Sequence, residues 1–148
     1  MIPTRLVRRC GESALVYLVD TSVFTRIGRT PVSEAMQRRA PLGLRHSHLT
    51  ALELRFSART DAEWDLFEAA VSEYERVPVS PHDLDRADAV QRALAGHGLK
   101  GRKPIDLIIA AQAERLRLTV LHYDKDFEFI ASITEQPHEW VVPRGSID

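Results

Sequence analysis

The sequence predicts an α/β fold with a mostly parallel central sheet and helices on both faces, and three observations predict it. Short apolar runs of strand length alternate with helical patterns along the whole chain. The first run, Ala14-Leu-Val-Tyr-Leu-Val19, is apolar throughout, as suits a parallel strand buried on both sides. Helix-opening signals follow closely on several of these runs, at Asp20, Thr50, Ser80-Pro81 and Asp124.

Taken in order, Asp20-Thr-Ser ends the first strand and opens a short helix from Ser22 to about Ile27, stopped by Gly28 and Pro31. A second short helix is expected over Val32 to Ala40, ahead of Pro41, and a short strand over Leu42 to His46. Thr50-Ala-Leu-Glu53 reads as a capping box, with Thr50 as N-cap and Glu53 in the first turn of a helix reaching about Arg59. Trp64, Phe67, Val71 and Tyr74 recur at helical spacing in a helix from Asp61 to Tyr74. A strand at Val77-Pro-Val79 leads to Ser80, with Pro81 at the first helical position and Leu84, Ala87, Val90 and Leu94 on one face. After the basic loop Leu99 to Lys103, an apolar helix runs from Pro104 to about Leu116. Thr119 to Leu121 is a strand, Asp124 opens a last short helix, and Trp140 to Val142 is a last strand.

A chain of 148 residues supports one core. Residues 1–13 are basic and aperiodic and read as an N-terminal extension, leaving 14–148 as the domain. Acid and base nearly balance at a net charge of −1, so no globally basic surface announces nucleic acid, and any basic patch must be local. The bases are mostly arginine, with lysine only at positions 100, 103 and 125; arginine suits phosphate, and a GC-rich genome encodes it too. The single cysteine, Cys10, excludes an internal disulfide and a cysteine metal site. Without a signal-like start or a membrane-length apolar run, the expected location is the cytoplasm, with no membrane partner.

Four carboxylates stand where strands end or helices begin: Asp20, Glu53, Asp106 and Asp124. In an open α/β sheet those positions share one edge, where ligands bind. Each also has a local explanation as a cap or a dipole partner. Together on one edge they would repel, raise one another's pKa and call for a divalent cation. An all-oxygen set selects Mg²⁺ or Mn²⁺, whose natural chemistry is phosphodiester hydrolysis by an activated water.

The segments Leu18-Val-Asp20-Thr-Ser-Val23, Leu49-Thr-Ala-Leu-Glu53-Leu-Arg-Phe-Ser, Pro104-Ile-Asp106-Leu-Ile-Ile-Ala-Ala and Leu121-His-Tyr-Asp124-Lys-Asp126-Phe127 carry a resemblance, in order, to the PIN-domain family. The likeness spans about residues 15 to 142 and is nearest to the VapC toxins of bacterial toxin–antitoxin pairs. It implies a PIN-like three-layer α/β/α sandwich, Mg²⁺- or Mn²⁺-dependent endoribonuclease activity on structured RNA such as tRNA or rRNA, a small antitoxin partner and a homodimer. It also implies Asp20 and Asp106 as main metal ligands, with Glu53 and Asp124 completing the shell. Asp126 supports Asp124 or replaces it as fourth acid, and the Thr21 and Ser22 hydroxyls hold Asp20 or metal-bound water. A PIN nuclease of RNA processing without an antitoxin, or a noncatalytic binding module, are the alternatives.

Other constellations are poorer. His46-x-His48 lacks further nitrogen or sulfur ligands at useful spacing. There is no Gly-x-Ser-x-Gly elbow and no glycine-rich phosphate loop. Lys100-Gly-Arg-Lys103 is the best local basic patch, readable as a phosphate clamp or a solvated loop. Arg55 and Arg59, placed on the Glu53 helix, are candidates for RNA or antitoxin contact, and Trp64, Phe67 and Tyr74 for core or dimer interface.

Overall fold

The computed structural model describes residues 15–148; the basic extension and Cys10 lie outside the described residues. Five parallel strands form one sheet in the order β3-β2-β1-β4-β5, with β1 Tyr17–Val19, β2 Leu44–Ser47, β3 Glu75–Val77, β4 Thr119–His122 and β5 His138–Trp140. The sheet is thus wholly parallel. The chain lays down β1, β2 and β3 in one direction, then returns to place β4 and β5 on the other side of β1. The strand order therefore reverses between β1 and β4, and a crevice opens beyond their carboxyl ends.

Central β1 explains the two helical layers. Tyr17 and Val19 pack into a cluster with Val23, Phe24, Val32, Met36, Ala51 and Val71, on the side of α1 Thr21–Phe24, α2 Thr30–Arg39, α3 His48–Arg55 and α4 Asp61–Ser72. Leu18 points the other way, into Ala87, Val90, Leu94, Leu107, Ile109 and Ile130 from α5 Pro81–Gly96, α6 Pro104–Leu116 and α7 Asp126–Thr134. Successive strand residues face opposite layers, so an apolar run with no polar face is what a three-layer sandwich demands. No helix among the described residues is long and apolar enough to cross a membrane.

Local chemistry accounts for the helix bounds. α5 opens on a full capping box: Ser80 caps the first turn while Asp83 accepts the Ser80 N–H at 2.8 Å. Pro104 starts α6, and Arg117, in the left-handed region at φ 58°, ends it.

Several expected boundaries are corrected. β2 feeds straight into α3, so the N-cap is Ser47, whose Oγ accepts the Leu49 N–H at 3.1 Å. Thr50 is therefore a buried helical residue rather than a cap, Glu53 lies in the second turn, and Arg59 lies beyond the helix. β3 ends at Val77 because Pro78 has no N–H for the ladder. α7 begins at Asp126, with Asp124 outside it, and β5 ends at Trp140, leaving Val141 and Val142 buried beyond the strand.

Candidate active site

Asp20 leaves the end of β1, where its N–H bonds Leu121 O of β4 at 2.8 Å. It is 3% exposed. Its Oδ2 caps α1, accepting the Ser22 N–H at 3.0 Å and the Ser22 hydroxyl at 2.7 Å. Ser22 Oγ in turn accepts the Tyr123 N–H at 2.9 Å, which ties the cap to the end of β4. The other oxygen, Oδ1, is buried without a hydrogen-bond partner. Burial raises the Asp20 pKa, outweighing the Ser22 bonds, and Asp124 and Glu53 add repulsion.

Asp106 is the third residue of α6 and is 4% exposed. Its Oδ2 is also buried without a hydrogen bond; Lys103 Nζ stands 3.7 Å away. Burial, and then the Asp20 charge, push its pKa up to about 8 against the pull of Lys103. Asp124 follows β4. Its N–H donates to His122 Nδ1 at 3.1 Å, its Oδ1 accepts the Asp126 N–H at 2.9 Å, and its Oδ2 accepts from Lys103 at 3.1 Å. Burial pushes it up, yet the Asp126 N–H and Lys103 prevail and its pKa is lowered.

Asp106, Asp124 and Asp126 each bring an oxygen within 4.8 Å of the others. Asp126 is also paired with Arg102 at 2.8 Å. Glu53 reaches the same region from α3 and accepts the Thr21 hydroxyl at 2.5 Å. Asp20, Glu53, Asp106 and Asp124 line one cavity of about 540 Å³, together with Thr21, Ser22 and Lys103. Asp126 is not among the residues lining that cavity.

The arrangement suits a hard cation. Two buried carboxylate oxygens, Asp20 Oδ1 and Asp106 Oδ2, lack hydrogen-bond donors, and the lysine ammonium stands where positive charge is needed. Lone pairs left bare in a low-dielectric pocket are costly unless a cation takes them. The donors are all oxygens, which fits Mg²⁺ or Mn²⁺.

Other candidates fare differently. Arg102 and Lys103 of the basic loop pair with the acids, Arg102 with Asp126 and the largely exposed Lys103 with Asp124. Arg55 is committed to Glu68 at 3.0 Å and lies over the Trp64 ring, so it braces α3 against α4 instead of facing a nucleic acid. Tyr74 packs against Phe24 in the core, while Trp64 stays 42% exposed. His46 is fully buried and accepts from Arg76 Nε at 3.1 Å; burial lowers its pKa to about 4. Sequence reasoning missed Arg26, Trp140, Arg144 and Asp148, which line the same cavity. No local motif marks those residues, since they meet only after folding.

The sheet order, the two helical layers and the carboxylates gathered at the strand reversal define a three-layer α/β/α protein with an acidic pocket at its switch point. The PIN domain family matches residues 17–132, and the chain belongs to that family. It is 43% identical over 136 residues to Ribonuclease VapC51 of Mycobacterium tuberculosis (strain ATCC 25618 / H37Rv), covering 91% of this chain and 99% of the relative. VapBC2 from Rickettsia felis, bound to a DNA fragment from its promoter, shares the fold with a TM-score of 0.71 at 17% identity, over 85% of this chain and 99% of that chain. A toxin–antitoxin complex from Klebsiella pneumoniae gives a TM-score of 0.68 at 20% identity, over 85% and 98%.

Proposed function

We propose that the protein is a Mg²⁺- or Mn²⁺-dependent endoribonuclease, the toxin of a toxin–antitoxin pair, acting on structured RNA of the tRNA or rRNA class. The observation that carries this reading is the pair of buried, donor-free oxygens, Asp20 Oδ1 and Asp106 Oδ2, in a cavity lined by carboxylates. A noncatalytic module gains nothing from burying such groups bare. The ribonuclease relative, matched over nearly its whole length, supports RNA as the substrate.

Asp20 and Asp106 would hold the ion, with Glu53 and Asp124 completing its surroundings and Asp126 supporting Asp124. Bound there, the ion supplies Lewis acidity toward the scissile phosphate and makes water a competent nucleophile at neutral pH. The protein's own part is to fix the geometry. Ser22 holds Asp20 by two bonds and links it to Tyr123, so the first acid cannot turn away from β4. Thr21 holds Glu53 toward the cavity. His122 Nδ1 fixes the backbone of Asp124. Lys103, 62% exposed, is free to leave the carboxylates when a cation arrives.

An antitoxin partner and a homodimer complete the reading. The related complexes support the partner, and the exposed apolar side chains of Leu52 on α3, Phe56 just after it and Leu66 on α4 offer surface for a protein to cover. The deciding experiment is cleavage of a tRNA and rRNA pool by purified protein with Mg²⁺ or Mn²⁺, beside Asp20→Asn, Asp106→Asn and a chelator control. Cleavage should vanish in all three controls. Full activity in either variant, or in chelator, removes the metal mechanism. Co-purification with the product of a small adjacent gene tests the antitoxin, and light scattering of the free protein tests the dimer.

A further inference from the structure

Arg26 and Asp148 line the same cavity as the carboxylates, and with Arg29 beside them they form a second charged arrangement that the metal chemistry does not use. Arg26 follows α1, and its guanidinium is held from three directions. Nη1 donates to Ser22 O at 2.9 Å, the group lies 4.9 Å over the Tyr123 ring, and Nε donates to Asp148 Oδ2 at 2.9 Å. Arg29 Nη1 donates to Asp148 Oδ1 at 2.7 Å. One carboxylate therefore bridges two guanidinium groups, one oxygen to each.

The position of Asp148 is set by a clasp on the residues before it. Tyr123 Oη donates to Ile147 O at 2.6 Å and accepts the N–H groups of Gly145 at 3.1 Å and Ile147 at 3.2 Å. The Ile147 side chain is buried in the core. Arg26, Gly145 and Asp148 line the same cavity as Asp20, Glu53, Asp106 and Asp124. An anionic strand entering a cavity lined by acids needs cations beyond the ion itself. The arginine pair is a preorganised source, and its geometry, two guanidiniums on two oxygens of one anion, is also that of a phosphodiester contact. The Arg29 pair is exposed and the Arg26 pair partly so, with 28% of the Arg26, 49% of the Arg29 and 42% of the Asp148 side chain accessible. Pairs of that kind add little stability and give way readily to a competing anion.

We propose that Arg26 and Arg29 form a phosphate subsite for the RNA strand entering the carboxylate cavity, and that Asp148 occupies it as a stand-in anion which the RNA displaces. The inference rests on the ribonuclease reading and deepens it. Asp148 then acts as a built-in brake on binding, and the arginines set the path of the strand next to the scissile phosphate.

The test is binding of a short fluorescein-labelled mixed-sequence oligoribonucleotide in chelator, where no cleavage intervenes, by the wild-type chain and the Asp148→Asn, Arg26→Gln and Arg29→Gln variants. Asp148→Asn should tighten binding severalfold. Each arginine variant should weaken it and make the plot of log affinity against log salt shallower by about 0.7, as expected for one lost phosphate contact to a single strand. Arg29 is half exposed, so its variant keeps the test valid even if Arg26→Gln impairs folding. If the wild type binds RNA and all three variants match it, the arginines serve the fold or a protein partner's carboxylates, and the subsite alone is overturned. If the wild type neither binds nor cleaves RNA, the ribonuclease reading falls and the subsite with it.

Discussion

Asp83 and Asp106 begin from the same sequence grammar and end in opposite states. Each is the third residue of a helix opened by proline, in Pro81-His-Asp83 and Pro104-Ile-Asp106, and the two helices, α5 and α6, pack on each other. Both are buried, at 1% and 4% exposure. Asp83 is fully partnered: Arg115 grips its two oxygens at 2.8 and 2.9 Å, and the Ser80 N–H adds a third bond at 2.8 Å. Those bonds overcome burial and hold its pKa below the usual carboxylate value. Asp106 has no serine at its cap and no guanidinium. Its neighbours are other carboxylates and one lysine, so burial wins and its pKa rises to about 8. A buried acid in a helix's first turn is structural when donors surround it and poised for a ligand when they do not.

Exchanging each for asparagine should separate the roles, and this is the largest effect expected. Asp106→Asn should lose RNA cleavage to the chelator background while remaining folded. Asp83→Asn should keep the cleavage chemistry but lose about 1–3 kcal/mol of stability, because Arg115 loses its bidentate partner at the α5–α6 contact. Urea unfolding and a cleavage assay on both variants check this. A destabilised Asp106→Asn with normal cleavage would reverse the assignment.

The next effect is the pH dependence of the same pair without metal. Burial, reinforced by the Asp20 charge, pushes the folded-state pKa of Asp106 up to about 8, whereas an unburied aspartate titrates near 3.8. Between those values the folded state is the better proton binder, so this group's contribution to stability declines as pH rises from about 4 to about 8. Asp83 has the opposite sign: its contribution is full above its unfolded pKa and is lost as pH falls below 3.8. In chelator, Asp106→Asn should therefore match the wild type near pH 4 and exceed it by about 1–3 kcal/mol at pH 8, the lower part of what about 1.4 kcal/mol per unit allows. Unfolding curves at the two pH values read the difference, and equal stabilities at pH 8 would mean that neither burial nor the neighbouring carboxylates penalise the Asp106 charge.

How much of this could be read from the chain depends on how far each interaction reaches. Both bounds of α6, Pro104 and Leu116, are local and were legible, as was the all-apolar β1 that requires two covering layers. Asp20 was legible as the cap of α1, which one oxygen performs while the other stays bare. Thr50 misled, because the capping-box spacing is local, while its hydroxyl is engaged by Thr21, 29 residues earlier. The different partners of Asp124 and Asp126 were closed to sequence reasoning, since Arg102 reaches Asp126 from 24 residues away and Lys103 reaches Asp124 from 21. The Arg26–Asp148 contact, across 122 residues, carries no sequence signal at all.

The smallest effect concerns what now partners Asp106. Lys103 is the α6 N-cap residue and offers no capping oxygen; its ammonium instead sits 3.1 Å from Asp124 and 3.7 Å from Asp106. Burial alone would lower its pKa, yet the bond to Asp124 and the charges of Asp106, Asp124 and Asp126 raise it. Arg115 on Asp83 is a fixed fork, whereas Lys103 is a flexible, mostly exposed point charge that a divalent ion must displace. Lys103→Met should therefore bind Mn²⁺ more tightly, by about two- to fivefold, in line with the about 0.2–1 kcal/mol typical of an exposed ion pair. Mn²⁺ titration by electron paramagnetic resonance reads this directly. Weaker Mn²⁺ binding in the variant would mean that Lys103 organises the carboxylates for the ion instead of holding their place, and the contrast with Arg115 would then be one of strength rather than of kind.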